Sequence, residues 1–276
     1  MKQDDSTFQK LINSPAVKRR FEELLDQSAA SFVSSVYAIY RSNSRLQECN
    51  YNSIMGAAGI AAALKLPINP SLGFAYIVPY KGVAQFQIGY KGLIQLAMRT
   101  NQYLTLNAGA VCEGQIKEID FVTGEVIRGE KISDTIVGYI AYMELLNGFR
   151  KALYMTCEEI DEHAKKYSQS YAYDIKNGKK SSVWSLNFGA MAKKTVLKRL
   201  LNTYAVISID QRDLTTAIQA DQAVITEEGF RYVDNEPDGE EKTVPFDEEQ
   251  ASTFAEFNNL TPDDEPDKEE PNPNAE

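Results

Sequence analysis

Histidine is nearly absent from these 276 residues: there is one, His163, beside three cysteines and a single tryptophan. A Ser-His-Asp or Cys-His system would have to use that histidine, and a zinc site would have to complete it with scattered cysteines or carboxylates. It stands in TCEEIDEHAKK (156–166), which reads as a regular helix, so a helix-boundary role is expected for it. Cys49, Cys112 and Cys157 are far apart and form no Cys-x-x-Cys pair, which points to a reducing cytoplasm. No G-x-G-x-x-G occurs. The nearest approach to a phosphate loop, NGKKSS (177–182), has Lys180 in place of the hydroxyl and Tyr173 in place of the first glycine. Apolar runs such as Ala57 to Leu64 stop far short of a membrane span, and no apolar signal core follows Lys2. Neither export nor a membrane partner is expected.

Charge is present but unevenly placed. The formal net charge of −10 is the sum of two opposed parts. Residues 1–220 hold 26 Lys and Arg against 20 Asp and Glu, a net of +6, whereas 221–276 hold 3 against 19, a net of −16. The part able to fold is therefore mildly basic, and a polyanionic partner is open to it. From about 226 the chain is Glu, Asp, Pro and Asn with Phe246, Phe254, Phe257 and Leu260 as sparse apolar islands. Such a composition is expected to stay disordered, because it cannot bury enough surface to offset its conformational entropy.

The first third reads as helices. Ser14-Pro15 opens one that carries Val17, Phe21, Leu24 and Leu25 inward; Phe32, Val33, Val36, Tyr37 and Tyr40 stripe a second; a third runs from Asn50 to Pro67. Residues 74–89 form a hairpin turning at Lys81-Gly82, with Gln85 and Gln87 opposite an apolar face. A helix from Gly89 buries Tyr90, Leu93, Ile94, Ala97 and Met98 and turns Lys91, Gln95 and Arg99 outward. Extended segments at 104–111, 136–145 and 149–155 follow, the last two joined by Asn147-Gly148. Thr156 opens a capping-box helix, 168–183 is a polar loop, and helices cover 184–201 and 209–222. The expected class is α+β: a helical N-terminal part packed with a twisted antiparallel sheet of hairpins and a basic helix. A core over 1–225 and an acidic tail over 226–276 are the expected domains.

Two stretches could carry chemistry. On the 184–201 helix, Leu186, Ala190, Val196, Leu197, Leu200 and Leu201 form an apolar arc that leaves Lys194, Thr195, Lys198 and Arg199 outside and Lys193 inside. A lysine in an apolar arc must snorkel, find an acid, or line a groove that holds an anion. The second is Tyr80 to Arg99, where Lys81, Lys91 and Arg99 alternate with glycines, Gln85, Gln87 and Tyr90. Phosphates take cations and glycine-exposed amides, and unpaired bases take flat faces; Tyr76, Tyr80, Tyr90 and Trp184 are the candidate platforms.

LPINPSLGFAYIVPY (66–80), QIGYKGLIQLA (87–97), Trp184 with MAKKTVLKRL (191–200), and VISI (206–209) together resemble the RecT family of phage single-strand annealing proteins, over roughly residues 10–222. The resemblance implies an ATP-independent recombinase of a phage or prophage in a bacterial cytoplasm. It would coat single-stranded DNA and anneal a complementary strand within a homo-oligomer, a ring or helical filament of protomers packed side by side. Carried onto this chain, Lys81, Gln85, Gln87, Tyr90, Lys91, Arg99, Trp184, Lys193, Lys194, Lys198 and Arg199 become candidate DNA contacts. No cofactor, metal or catalytic residue is implied, in keeping with the missing nucleotide loop. A phage exonuclease and the host single-strand-binding protein are implied partners, and DNA repair is an implied setting. The alternative is a metal-dependent nuclease, which needs converging acids; residues 66–112 contain none.

Overall fold

In the computed structural model the Ser14 hydroxyl accepts the Val17 N–H at 3.4 Å directly before Pro15, a cap that starts its helix where the sequence places it. Residues 5–205, 212–232, 242–254 and 257 are described. Helices α1 (Asp5–Ile12), α2 (Pro15–Leu25), α3 (Ala29–Ser42) and α4 (Tyr51–Ala63) come first. Then follow β1 (Ala75–Tyr80), β2 (Val83–Ile88), α5 (Tyr90–Arg99), β3 (Tyr103–Cys112), β4 (Ile116–Ile119), β5 (Val126–Arg128), β6 (Ile136–Leu145) and β7 (Arg150–Thr156). Helices α6 (Cys157–Tyr167), α7 (Gln169–Asn177), α8 (Val183–Leu186), α9 (Phe188–Tyr204) and α10 (Asp213–Ala220) precede β8 (Ala223–Thr226), β9 (Gly229–Tyr232), β10 (Lys242–Pro245) and α11 (Glu248–Phe254). The chain divides into two units: residues up to 87 with 223–231 and those from 243, and residues 88–222 with 232–242.

The first unit is built around α4, whose small apolar residues let neighbours close on nearly every side; ten of its thirteen residues are buried. A Cβ on Gly59 would stand 2.7 Å from the Phe257 ring, so only glycine admits that ring against the helix. Asn50 caps α4 through the Asn52 and Ser53 N–H groups and gives its own N–H to Gly82 O at 2.9 Å, while Ser53 Oγ accepts from Ala84 N. These bonds fasten the hairpin to the helix start. Its two-residue turn puts both Lys81 (φ 46°) and Gly82 (φ 83°) in the left-handed region, as a primed turn requires.

The second unit is a three-stranded antiparallel sheet in the order β3-β6-β7, with Ala108 opposite Ala141 and Tyr142 opposite Ala152. Tyr139, Ala141, Met143 and Leu145 of the central strand are buried on the face that α9 covers. The Asn147-Gly148 turn has its positive φ at Gly148 alone (84°), Gly148 N–H reaches Leu145 O and Leu145 N–H reaches Phe149 O, so the loop is the three-residue kind with a bulge rather than a two-residue turn. Between β3 and β6 the chain leaves the sheet as a short β4–β5 arm.

Several expectations change. Residues beyond 226 were expected to be disordered, yet β9, β10 and α11 are formed there, and Phe230, Phe254 and Phe257 are fully or almost fully buried in the first unit. Even sparse aromatics suffice when a preformed apolar surface receives them. Leu260, with 233–241 and 258–276, lies outside the described residues. The polar loop expected at 168–183 contains α7, which buries only Tyr171 and Asp174 and so shows no apolar period. The helix expected at 184–201 is two helices parted at Asn187, whose side chain caps α9, and Leu186 is 70% exposed rather than on an apolar arc. In α5 the buried stripe is Gly92, Leu93, Leu96 and Ala97, and Met98 is 63% exposed. The last helix is described only from Asp213; its expected start at 209 and the VISI stretch fall outside the described residues.

Candidate nucleic-acid interface

Helix α9 is covered from more than one side, by the sheet and by α5 and α10. Burial therefore runs around most of its circumference, and the lysine taken inward is Lys194, with Thr195 beside it, rather than Lys193, which is half-buried. An ammonium placed there needs a counter-charge. The residue that supplies it is Asp221, just past α10 and 2% exposed. Its carboxylate accepts Lys194 Nζ at 2.8 Å, Lys198 Nζ at 2.7 Å and the Ile88 N–H at 3.1 Å. One acid thus ties α9, the end of α10 and Ile88, two residues before α5. Burial opposes its ionisation, but the two ammoniums outweigh that and hold Asp221 below the usual carboxylate range. Burial also draws Lys194 below the ordinary lysine range, against the pull of Asp221.

Two cations on one carboxylate leave a surplus positive charge. It faces a cavity of about 540 Å³ lined by Trp184, Lys198, Arg199, Asn202, Tyr167 and Tyr232, among others. Arg199 Nη1 lies 3.4 Å from Met155 Sδ, a weak partner, and the guanidinium forms no ion pair among the described residues. His163 lines the same cavity, and burial, followed by the fields of Arg199, Lys198 and Lys166, lowers its pKa to about 4. It is neutral near pH 7, which fits a cavity whose field already disfavours one more cation. A second cavity of about 570 Å³ shares His163, Tyr167 and Arg199.

Of the expected contacts, Trp184, Lys194, Lys198 and Arg199 meet at this cavity. Trp184 is 6% exposed and packs edge-on to Phe188 and obliquely on Tyr171, so it is chiefly a core aromatic. Lys193, Lys91 and Arg99 do not line the cavity; Lys91 and Arg99 are exposed on α5, and Tyr90 is half-buried at its start. Lys81, Gln85 and Gln87 belong to the first unit. Lys81 Nζ sits 5.1 Å from the Tyr80 ring centre. Gln85, expected to face outward, is 4% exposed, and its Nε2 has no hydrogen-bond partner among the described residues. Sequence reading missed Asp221 because it is sequence-distant from its lysines and was counted with the acidic tail. The only signal pointing to it was the need for an acid near a buried lysine. The GKK segment is the end of α7, with Gly178 in the left-handed conformation as its cap, which accounts for a Gly-Lys pair without any phosphate loop.

An α+β protein with clustered cations and, among the described residues, no group of three or more His, Cys, Asp or Glu poised for a metal is the class that this arrangement defines. The chain belongs to the RecT family, whose pattern matches residues 30–241, and that family comprises recombination proteins that anneal single strands. It is 37% identical over 262 residues to the uncharacterized protein YqaK of Bacillus subtilis (strain 168), covering 90% of this chain and 88% of that protein. It is 26% identical over 244 residues to protein RecT of Escherichia coli (strain K12), covering 81% of this chain and 87% of that protein. No helix among the described residues is long and apolar enough to cross a membrane.

Proposed function

We propose that this chain binds single-stranded DNA and annealing intermediates through their phosphate backbone and pairs complementary strands without ATP, in a homo-oligomeric ring or filament. Family membership supports the annealing role, and the observation that carries the site is the surplus charge on α9: Lys194 and Lys198 share Asp221, while Arg199 beside them forms no ion pair among the described residues. Lys193 and Lys91 form no ion pair among the described residues and complete the cationic set. Lys194 supports the groove from below, because its ammonium is committed to Asp221. Lys81, Arg99, Gln87 and Tyr90 remain proposed contacts, as do Gln85 and Trp184 at their edges. A phage exonuclease and a host single-strand-binding protein are proposed partners, and a bacterial cytoplasm the proposed setting.

The test is annealing of complementary oligonucleotides, with binding to single strands followed across a salt series. Each lost phosphate contact lowers the slope of log K against log salt by about 0.7. Lys193→Ala and Arg199→Ala should each lower affinity and reduce the slope by about that amount. Unchanged slopes for both, or no acceleration of annealing by the wild-type chain, would reject the reading.

A further inference from the structure

The β4–β5 arm ends in a built turn. Asp120 Oδ1 accepts the N–H groups of Val122 and Thr123 at 2.9 and 2.8 Å, Gly124 N–H reaches Asp120 O, and Lys151 Nζ holds Thr123 O at 2.6 Å from the neighbouring β7. This turn, tied down on both sides, displays Phe121 at 94% exposure and Val122 at 74%. Ile119, Ile127 and Ile132 continue the apolar surface along the arm. Residues 113–134 carry six acids against three cations, a net of −3. An acidic arm of this kind is unsuited to a nucleic acid and suited to an apolar surface rimmed by lysines.

The same unit carries such a surface. Between 173 and 186, Tyr173, Ile175, Val183 and Leu186 are all exposed, and Lys176, Lys179 and Lys180 stand among them. The one acid of that stretch, Asp174, is fully buried: it accepts from the Ser181 N–H and Oγ, the Ser182 N–H and the Ser185 Oγ, which hold it well below the usual carboxylate range. The exposed charge of the segment is therefore +3. The arm and the lysine-rimmed segment are opposite in charge and both expose apolar side chains, yet both stand open within one molecule.

We propose that they meet between molecules: the Phe121 tip of one copy seats on the α7–α8 surface of the next. Such a contact is heterologous, with different patches on the two sides, so it repeats head to tail into a ring or an open helix. The proposal takes from the annealing reading only the purpose of assembly, and each can fail alone.

The experiment measures the mass of the full-length chain by sedimentation, free and with two complementary oligonucleotides, alongside annealing. Wild-type chains should sediment as multiples of one chain in at least one of these conditions. Phe121→Asp should shift them toward single chains, as should Lys179→Glu with Lys180→Glu. Glu118→Lys with Glu125→Lys should do the same, and combining the two charge reversals should restore assembly at least partly. All these side chains are exposed, and unchanged circular dichroism shows that each variant folds. A wild-type chain that stays single with and without DNA, variants that assemble as wild type, or a combination that fails to restore assembly would overturn the interface. Assembly that depends on these residues without any annealing would instead overturn the functional reading and leave the interface standing.

Discussion

At the residue scale the molecule turns on Asp221. A buried carboxylate that accepts two ammoniums and a backbone N–H cannot be removed without leaving the almost fully buried Lys194 ammonium unpaired. Asp221→Ala should cost about 3–5 kcal/mol of stability, the range for breaking a buried ion pair. Adding Lys194→Met should recover part of that loss, and a double-mutant cycle by chemical denaturation measures the coupling. His163 predicts a pH dependence. Its folded pKa is about 4, below the unfolded value of about 6.5, so between those values the unfolded chain binds more protons. Stability from this group is complete above about pH 6.5 and declines as the pH falls, by roughly 1 kcal/mol per unit. His163→Gln should flatten that decline in denaturant titrations between pH 7 and 5.

Elements were legible where one local rule decided them. The Ser14-Pro15 start, the Thr156 capping box and the Lys81-Gly82 turn all formed as read, and Asn147-Gly148 marked its hairpin though the loop is one residue longer, since a cap or a tight turn depends on residues close in sequence. Elements defined by what packs on them were not legible. The arc read on α9 assumed one buried side, but contacts from sheet and helices bury Lys194 and Thr195, and the stretch before Asn187 is a separate helix. Helix α11 and Phe257 were missed for the same reason: an acidic segment with a few aromatics has no fold of its own, and the surface around Gly59 supplies one. Phe257→Ala should lower stability by about 3–5 kcal/mol, the range for emptying a buried aromatic site. Thermal melts of that variant beside the wild type check it.

For the whole molecule, the opposed charges are less cleanly divided than composition suggests. Asp221 belongs by position to the acidic last quarter and by structure to the basic helix. The packed segments after 226 make a truncation at 225 a test of folding as well as of the tail. Removing 226–276 should lower the melting temperature by several degrees, because it strips Phe230, Phe254 and Phe257 from the first unit. Removing only 258–276 spares those residues, so any change in salt-dependent DNA binding then reports on the acids alone. Comparison of the two truncated chains by calorimetry and oligonucleotide binding separates the two effects.

The sequence by itself determined the class of elements, the helix caps and turns, the basic character of the foldable part and the resemblance to the family to which the chain belongs. These follow from neighbours in the chain, from counts, and from motif order. Tertiary structure alone decided which lysine is buried, which acid answers it, and which aromatics of the last quarter join a core. The physical reason is common to all three: burial and ion pairing are set by groups that meet through space, and the sequence separation of 27 between Lys194 and Asp221 leaves no local trace of that meeting.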